Sequence, residues 1–208
     1  MATPVMLSDE ERLALVRTGK RLQYFSIGWN SLEAVVAIVS GLIAGSISLL
    51  GFGFDSLIEV TSASAVLWRM HLDDPERREH AERVSLRIVG CCFLALAAYL
   101  GADSIKAIYQ RERPQHSIAG VALAVVSLIV MPLLSSSKRR VGKQLSSRAM
   151  QADATQTEFC TYLSAILLFG LAANWVLSWS WADPAAALMM VPLIAREGVE
   201  GVRAKRCC

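Results

Sequence analysis

The chain has 208 residues, 54% of them hydrophobic and 19% charged, and a mean hydropathy of +0.42. That is too apolar for a soluble domain of this length and points to an all-α integral membrane protein, because each helical crossing of a bilayer takes roughly 20 mostly apolar residues. The formal net charge is only +3, and the basic residues are not interleaved with aromatics, so nucleic acid is not an expected partner.

Residues 1–22 are expected to form a cytoplasmic amphipathic N-terminal helix at the membrane surface, opened by the Ser8 to Glu11 capping box in "LSDEERLALVRTGKRLQ". The acidic start, and Asn30 and Glu33 in the apolar stretch that follows, do not fit a cleaved leader. Six candidate spans then succeed one another at about 23–44, 47–69, 84–108, 116–136, 150–172 and 181–199. Together they make one six-helix transmembrane domain over 23–199, followed by a short cytoplasmic tail at 200–208.

Lys and Arg orient these spans. Arg17 to Arg21, Arg77 and Arg78, the run Lys138 to Lys143 and the tail all fall on one side, whereas the opposite loops carry little beyond Arg111 and Arg113. Both termini are therefore expected in the cytoplasm. The run "SSSKRRVGKQLSS" reads as the loop between spans 4 and 5. Five cysteines at these positions suggest free thiols, with Cys91 and Cys92 as small buried hydrophobes and Cys207 and Cys208 in the tail.

Function is sought first in span 2, "GSISLLGFGFDSLIEVTSASAVLW", where Asp55 and Glu59 stand four apart and so share one helix face at membrane depth. In span 5 the 100° step places Asp153, Gln156, Thr157 and Cys160 on one face and Glu158 roughly opposite. The two spans run in opposite directions, which brings Asp55 level with Cys160 and Glu59 level with Gln156. Asn30 and Glu33 add a third polar face from span 1.

No Lys or Arg lies in spans 1, 2 or 5 at that depth to pair with the acids, and Lys106 is near the outer end of span 3, so a metal or protons must balance them. Two carboxylates, an amide oxygen and a thiolate suit a tetrahedral divalent ion such as Zn²⁺ better than an all-oxygen Mg²⁺ cage. Asp55, Glu59, Asp153, Gln156 and Cys160 are the predicted ligands, and Glu33, Asn30 and Thr157 the proton-coupling or supporting residues. Gln156 and Thr157 also suit plain interhelical hydrogen bonding, and Glu33 also suits pairing with Asn30. A weak cytoplasmic metal site is compatible with His71, Asp73, Asp74 and His80, as is a solvated charged linker. "GFGFD" has the wrong spacing for an intramembrane aspartyl protease. No nucleophile with a base and no phosphate loop stands out, so an enzyme is not expected.

With these residues in view, the chain resembles the cation diffusion facilitator family of divalent-metal/proton antiporters across all six spans. The likeness is carried by the span 2 acids, by "QADATQTEFCTYLSAILLFGL" and by "WADPAAALMMVPLIAREGVEGV". It implies alternating-access export of Zn²⁺ or a related ion (Cd²⁺, Mn²⁺, Fe²⁺, Co²⁺) as substrate, with protons as the counter-substrate and no cofactor. It further implies a multi-pass protein of a bacterial inner or plasma membrane rather than an organelle. Two departures qualify the ion preference: Gln156 and Cys160 stand where zinc members often carry His and Asp, and Glu59 where Asp is common. The sequence looks like the short branch without a C-terminal cytoplasmic domain, so a homodimer is expected to be held by the membrane helices. The rival reading is a non-transporting membrane metal sensor or regulatory binding protein.

Overall fold

The described residues form six helices: α1 (Asp9–Ala44), α2 (Ile47–Arg69), α3 (Pro75–Gln110), α4 (Ile118–Gln144), α5 (Arg148–Leu177) and α6 (Ala182–Val202). The computed structural model describes residues 8–70, 75–110, 114–177, 179 and 181–203, without the side chains of 75–83, 85 and 86. Five of the helices are long and apolar enough to cross a membrane: α1, α2, α3 from Arg87, α4 and α5. The sixth, α6, has Asp183, Arg196, Glu197 and Glu200 among its 21 residues.

Two boundaries differ from the sequence reading. The surface helix and span 1 are one continuous helix, because "GKRLQYF" contains no proline and Gly19 stays helical. Its N-terminus does carry the predicted reciprocal cap between Ser8 and Glu11. Likewise α4 continues past Pro132 to Gln144, with the Ser136 and Ser137 hydroxyls turned back onto the Leu133 carbonyl. The basic run is thus helical, not a loop.

The helices form a closed ring in the order α1, α2, α3, α6, α5, α4, and α2 and α5 meet across its middle. Tight junctions fix this arrangement. Gly45 ends α1 at φ 64°, a conformation open to glycine, and Ser46 then caps α2 through the Leu49 N–H. At the α3–α6 crossing a Cβ on Gly90 would stand 2.5 Å from the Val202 nitrogen, so only glycine allows this approach.

Lipid inverts the usual burial pattern. On α1 the outward face carries Leu32, Val35, Val39, Leu42 and Ile43, whereas Gln23, Ser26, Asn30 and Glu33 point inward. An apolar core of Leu49, Phe52, Leu100, Met131, Leu163 and Ile194 surrounds that polar interior. Cys91 and Cys92, expected to be buried, are exposed. For a helix facing lipid, apolar character does not imply an inward position.

Candidate functional site

The meeting of α2 and α5 places Asp55 and Glu59 opposite Thr157 and Cys160, and all four are buried. The i, i+4 spacing on α2 and the 153, 156, 157, 160 stripe on α5 do this by helical geometry alone. Neighbouring α1 contributes Gln23, Ser26, Asn30 and Glu33, and α4 contributes Ser127 and Lys138.

One part of the cluster is short of partners. The Asp55 carboxyl meets the Cys160 thiol and lies in the field of Glu59, Glu33 and Glu197. Glu33 is fully buried beside Ser127, Trp29 and Ser56, yet neither of its oxygens makes a hydrogen bond of ordinary geometry. Glu59 Oε1 accepts from Thr157 Oγ1 at 2.5 Å, while its Oε2 has no partner. Asn30 donates to the Ser26 carbonyl at 2.9 Å and leaves its own oxygen unpaired, and the Gln156 Nε2 is also unpaired.

The other part is saturated, and it holds a base that the sequence reading did not place there. Lys138 is fully buried on α4, and its ammonium lies 2.9 Å from Asp153 Oδ2, 2.8 Å from Ser26 Oγ and 2.9 Å from Thr157 Oγ1. Glu59 Oε1 is 3.8 Å away. A base therefore stands at the acids after all. Asp153, predicted as a ligand, also accepts from Gln23 Nε2 at 2.8 Å and Ser62 Oγ at 3.3 Å, so both of its oxygens have partners here, Lys138 among them. Glu158 lies outside the cluster as expected, half-exposed and paired with Arg139.

Sequence reasoning missed Lys138, Gln23, Ser26, Ser62 and Ser127. The signal for Lys138 was its place in the buried stripe 131, 134, 135, 138, 141 and 142. His71, Asp73 and Asp74 lie outside the described residues, as do the His80 side chain, Cys207 and Cys208.

Four carboxyls, Glu33, Asp55, Glu59 and Asp153, are thus buried in one cluster, and two of them, Asp153 and Glu59, lie within 4 Å of the Lys138 ammonium. Interhelical hydrogen bonds within membranes contribute only about 0.6 kcal/mol on average, far too little to explain so many buried acids as packing glue. Among the described residues no three His, Cys, Asp or Glu side chains stand ready to hold a metal ion. What the arrangement offers is a loose set of oxygens and one sulfur, with more carboxyls than the ammonium beside them can pair.

Comparison with known proteins gives a consistent picture. The sequence model described as the cation efflux transmembrane domain matches residues 24–204. The chain is similar to an uncharacterized transporter of Synechocystis, 26% identical over 153 residues that cover 70% of this chain and 49% of that protein. It is similar to Transmembrane protein 163 of Xenopus laevis, 27% identical over 132 residues, 64% of this chain and 47% of that one. A third relative is the cation-efflux pump FieF of Serratia proteamaculans, 25% identical over 152 residues, 70% of this chain and 51% of the pump. The chain spans about half the length of these curated relatives.

Proposed function

Since the chain belongs to the cation efflux, or cation diffusion facilitator, family, we propose that it exports a divalent transition-metal cation from the cytoplasm in exchange for protons. The observation that carries this reading is the excess of buried carboxyls with unpartnered oxygens at Glu33 and Glu59. A relative of Serratia proteamaculans named a cation-efflux pump supports the direction.

In this reading Asp55, Glu59 and Cys160 close on the ion, joined by the Gln156 amide oxygen and by Glu33. The oxygen and sulfur donors favour Zn²⁺ or Cd²⁺ over Mg²⁺. Closure is part of the cycle: a site that must release its ion is not held rigid. When the metal leaves, these acids cannot all remain ionised in a low dielectric, so protons replace it. Both termini face the cytoplasm of a bacterial inner or plasma membrane, and the chain acts as a homodimer through its membrane helices.

Zn²⁺ flux into proteoliposomes, with and without a pH gradient, tests the proposal. The parent is expected to concentrate Zn²⁺ in an acidic lumen, and Asp55→Ala to abolish flux. Binding should weaken steeply on acidification, because protons and metal compete for the same oxygens. Unchanged flux in Asp55→Ala would place the site elsewhere. Binding that is flat from about pH 5.5 to 8, the span in which buried carboxyls commonly titrate, would rule out the antiport.

A further inference from the structure

Lys138 has no part in the ligand set, yet its ammonium is fully engaged. An ammonium has three N–H donors and no acceptor, and here each donor has one close oxygen: Asp153 Oδ2, Ser26 Oγ and Thr157 Oγ1. The three partners come from α5 and α1, so the ammonium joins three helices. It also reaches the proposed metal site in two ways. Directly, it stands 3.8 Å from Glu59 Oε1. Indirectly, Thr157 Oγ1 accepts from Lys138 and passes its own proton toward the same Glu59 oxygen.

We infer that Lys138 is a tethered internal counter-ion: it reserves Asp153 for itself, competes for Glu59, and thereby limits the strength with which the carboxyl cluster holds a divalent cation. A positive charge a few ångströms from the ion opposes it strongly in a low dielectric. Four carboxyls free to close on one ion would bind it too tightly for a carrier; Lys138 leaves three, and one of those is shared. Asp153 is in turn the device that keeps the ammonium back. Were its charge removed, Glu59 is the nearest remaining carboxylate.

This inference rests on the proposed metal site, and its test separates the two. Zn²⁺ alone is titrated calorimetrically into the detergent-solubilised full chain, and its release is timed by stopped flow with a chelating dye. K138Q should bind Zn²⁺ at least about tenfold more tightly and release it correspondingly more slowly, since the opposing charge is gone. D153N should bind it at least about tenfold more weakly, because the freed ammonium moves to Glu59. The charge-neutral double variant K138Q/D153N should return to within a few-fold of the parent. Opposite signs with restoration are what a merely structural pair would not give, since loss of packing lowers affinity in both single variants. Should K138Q fail to fold, weakening in D153N and its reversal in the double variant still decide the matter. No Zn²⁺ binding by the parent would overturn the proposed site and this inference together. Binding by the parent, with K138Q equal or weaker or with D153N unweakened, would overturn this inference alone.

Discussion

Asp183 and the acids at the middle of α2 are all buried in this bundle, and they are held on opposite principles. At the start of α6, Asp183 is fully buried and saturated. Its Oδ1 accepts from Ser46 Oγ at 2.6 Å and from the Ser48 hydroxyl, and its Oδ2 from the Ile47 and Ser48 N–H groups at 2.9 and 3.5 Å. It sits on the N-terminus of α2, where the unpaired first-turn N–H groups and the helix dipole favour a negative charge. At the middle of the same helix, Glu59 keeps one oxygen without a partner and Glu33 beside it keeps two, while Asp55 meets only the Cys160 thiol among the neighbours named above. Burial is common to both groups, so burial alone does not mark a site. What separates them is whether the protein itself has answered the charge.

The sharpest way to break this comparison is to remove one acid from each group and measure melting temperature beside Zn²⁺ flux. Asp183→Ala strands two hydroxyls and two N–H groups and should cost about 2 to 4 kcal/mol of stability. Asp55→Ala should leave the melting temperature unchanged or higher while flux is lost, because it removes a buried carboxyl that lies among other acids and has only the Cys160 thiol as a named partner. Equal destabilisation by the two would erase the distinction. A smaller effect is expected at Cys160, whose thiol touches Asp55. Cys160→Ser keeps the size and loses the soft donor, so Cd²⁺ transport should fall several-fold more than Mn²⁺ transport. Equal losses for the two ions would remove sulfur from the ligand set.

The smallest effect concerns an exposed acid that serves as the reference. Glu11 accepts from the Ser8 N–H and hydroxyl, at 2.9 and 3.0 Å, and these bonds hold its carboxyl below the ordinary carboxylate range. A lowered value means that its contribution to the cap is complete above the unfolded pKa and is lost as pH falls through the folded one. Amide exchange in the first turn of α1 should therefore quicken on acidification beyond its intrinsic pH dependence, and Glu11→Gln should abolish that extra change. An identical profile in the two proteins would mean the cap does not depend on the charge.

Much of the candidate cluster was legible because charge is conspicuous in an apolar helix. Asp55 and Glu59 declare themselves by spacing, and the inward stripe of α5, with Glu158 outside it, follows from 100° steps. Lys138 was not legible for the converse reason: within "SSSKRRVGK" it looks like one more solvated base, and only the continuation of α4 turns it inward. Its consequence for Asp153 was hidden with it. The burial of Cys91 and Cys92 was misjudged because in lipid the apolar direction points outward. The junction of the surface helix with span 1 was missed because a change in polarity, without a breaker, leaves the backbone ladder intact.

That unbroken α1 has a mechanical consequence. Its 36 residues make a rod of about 54 Å at 1.5 Å per residue, against a hydrocarbon layer of about 30 Å. The charged stretch from Asp9 to Arg21 is therefore the overhanging arm of a lever whose membrane portion carries Asn30 and Glu33. With no hinge between arm and acids, a tilt of about 5° swings one tip about 5 Å relative to the other, so the bilayer surface has a stiff handle on the interior of the bundle.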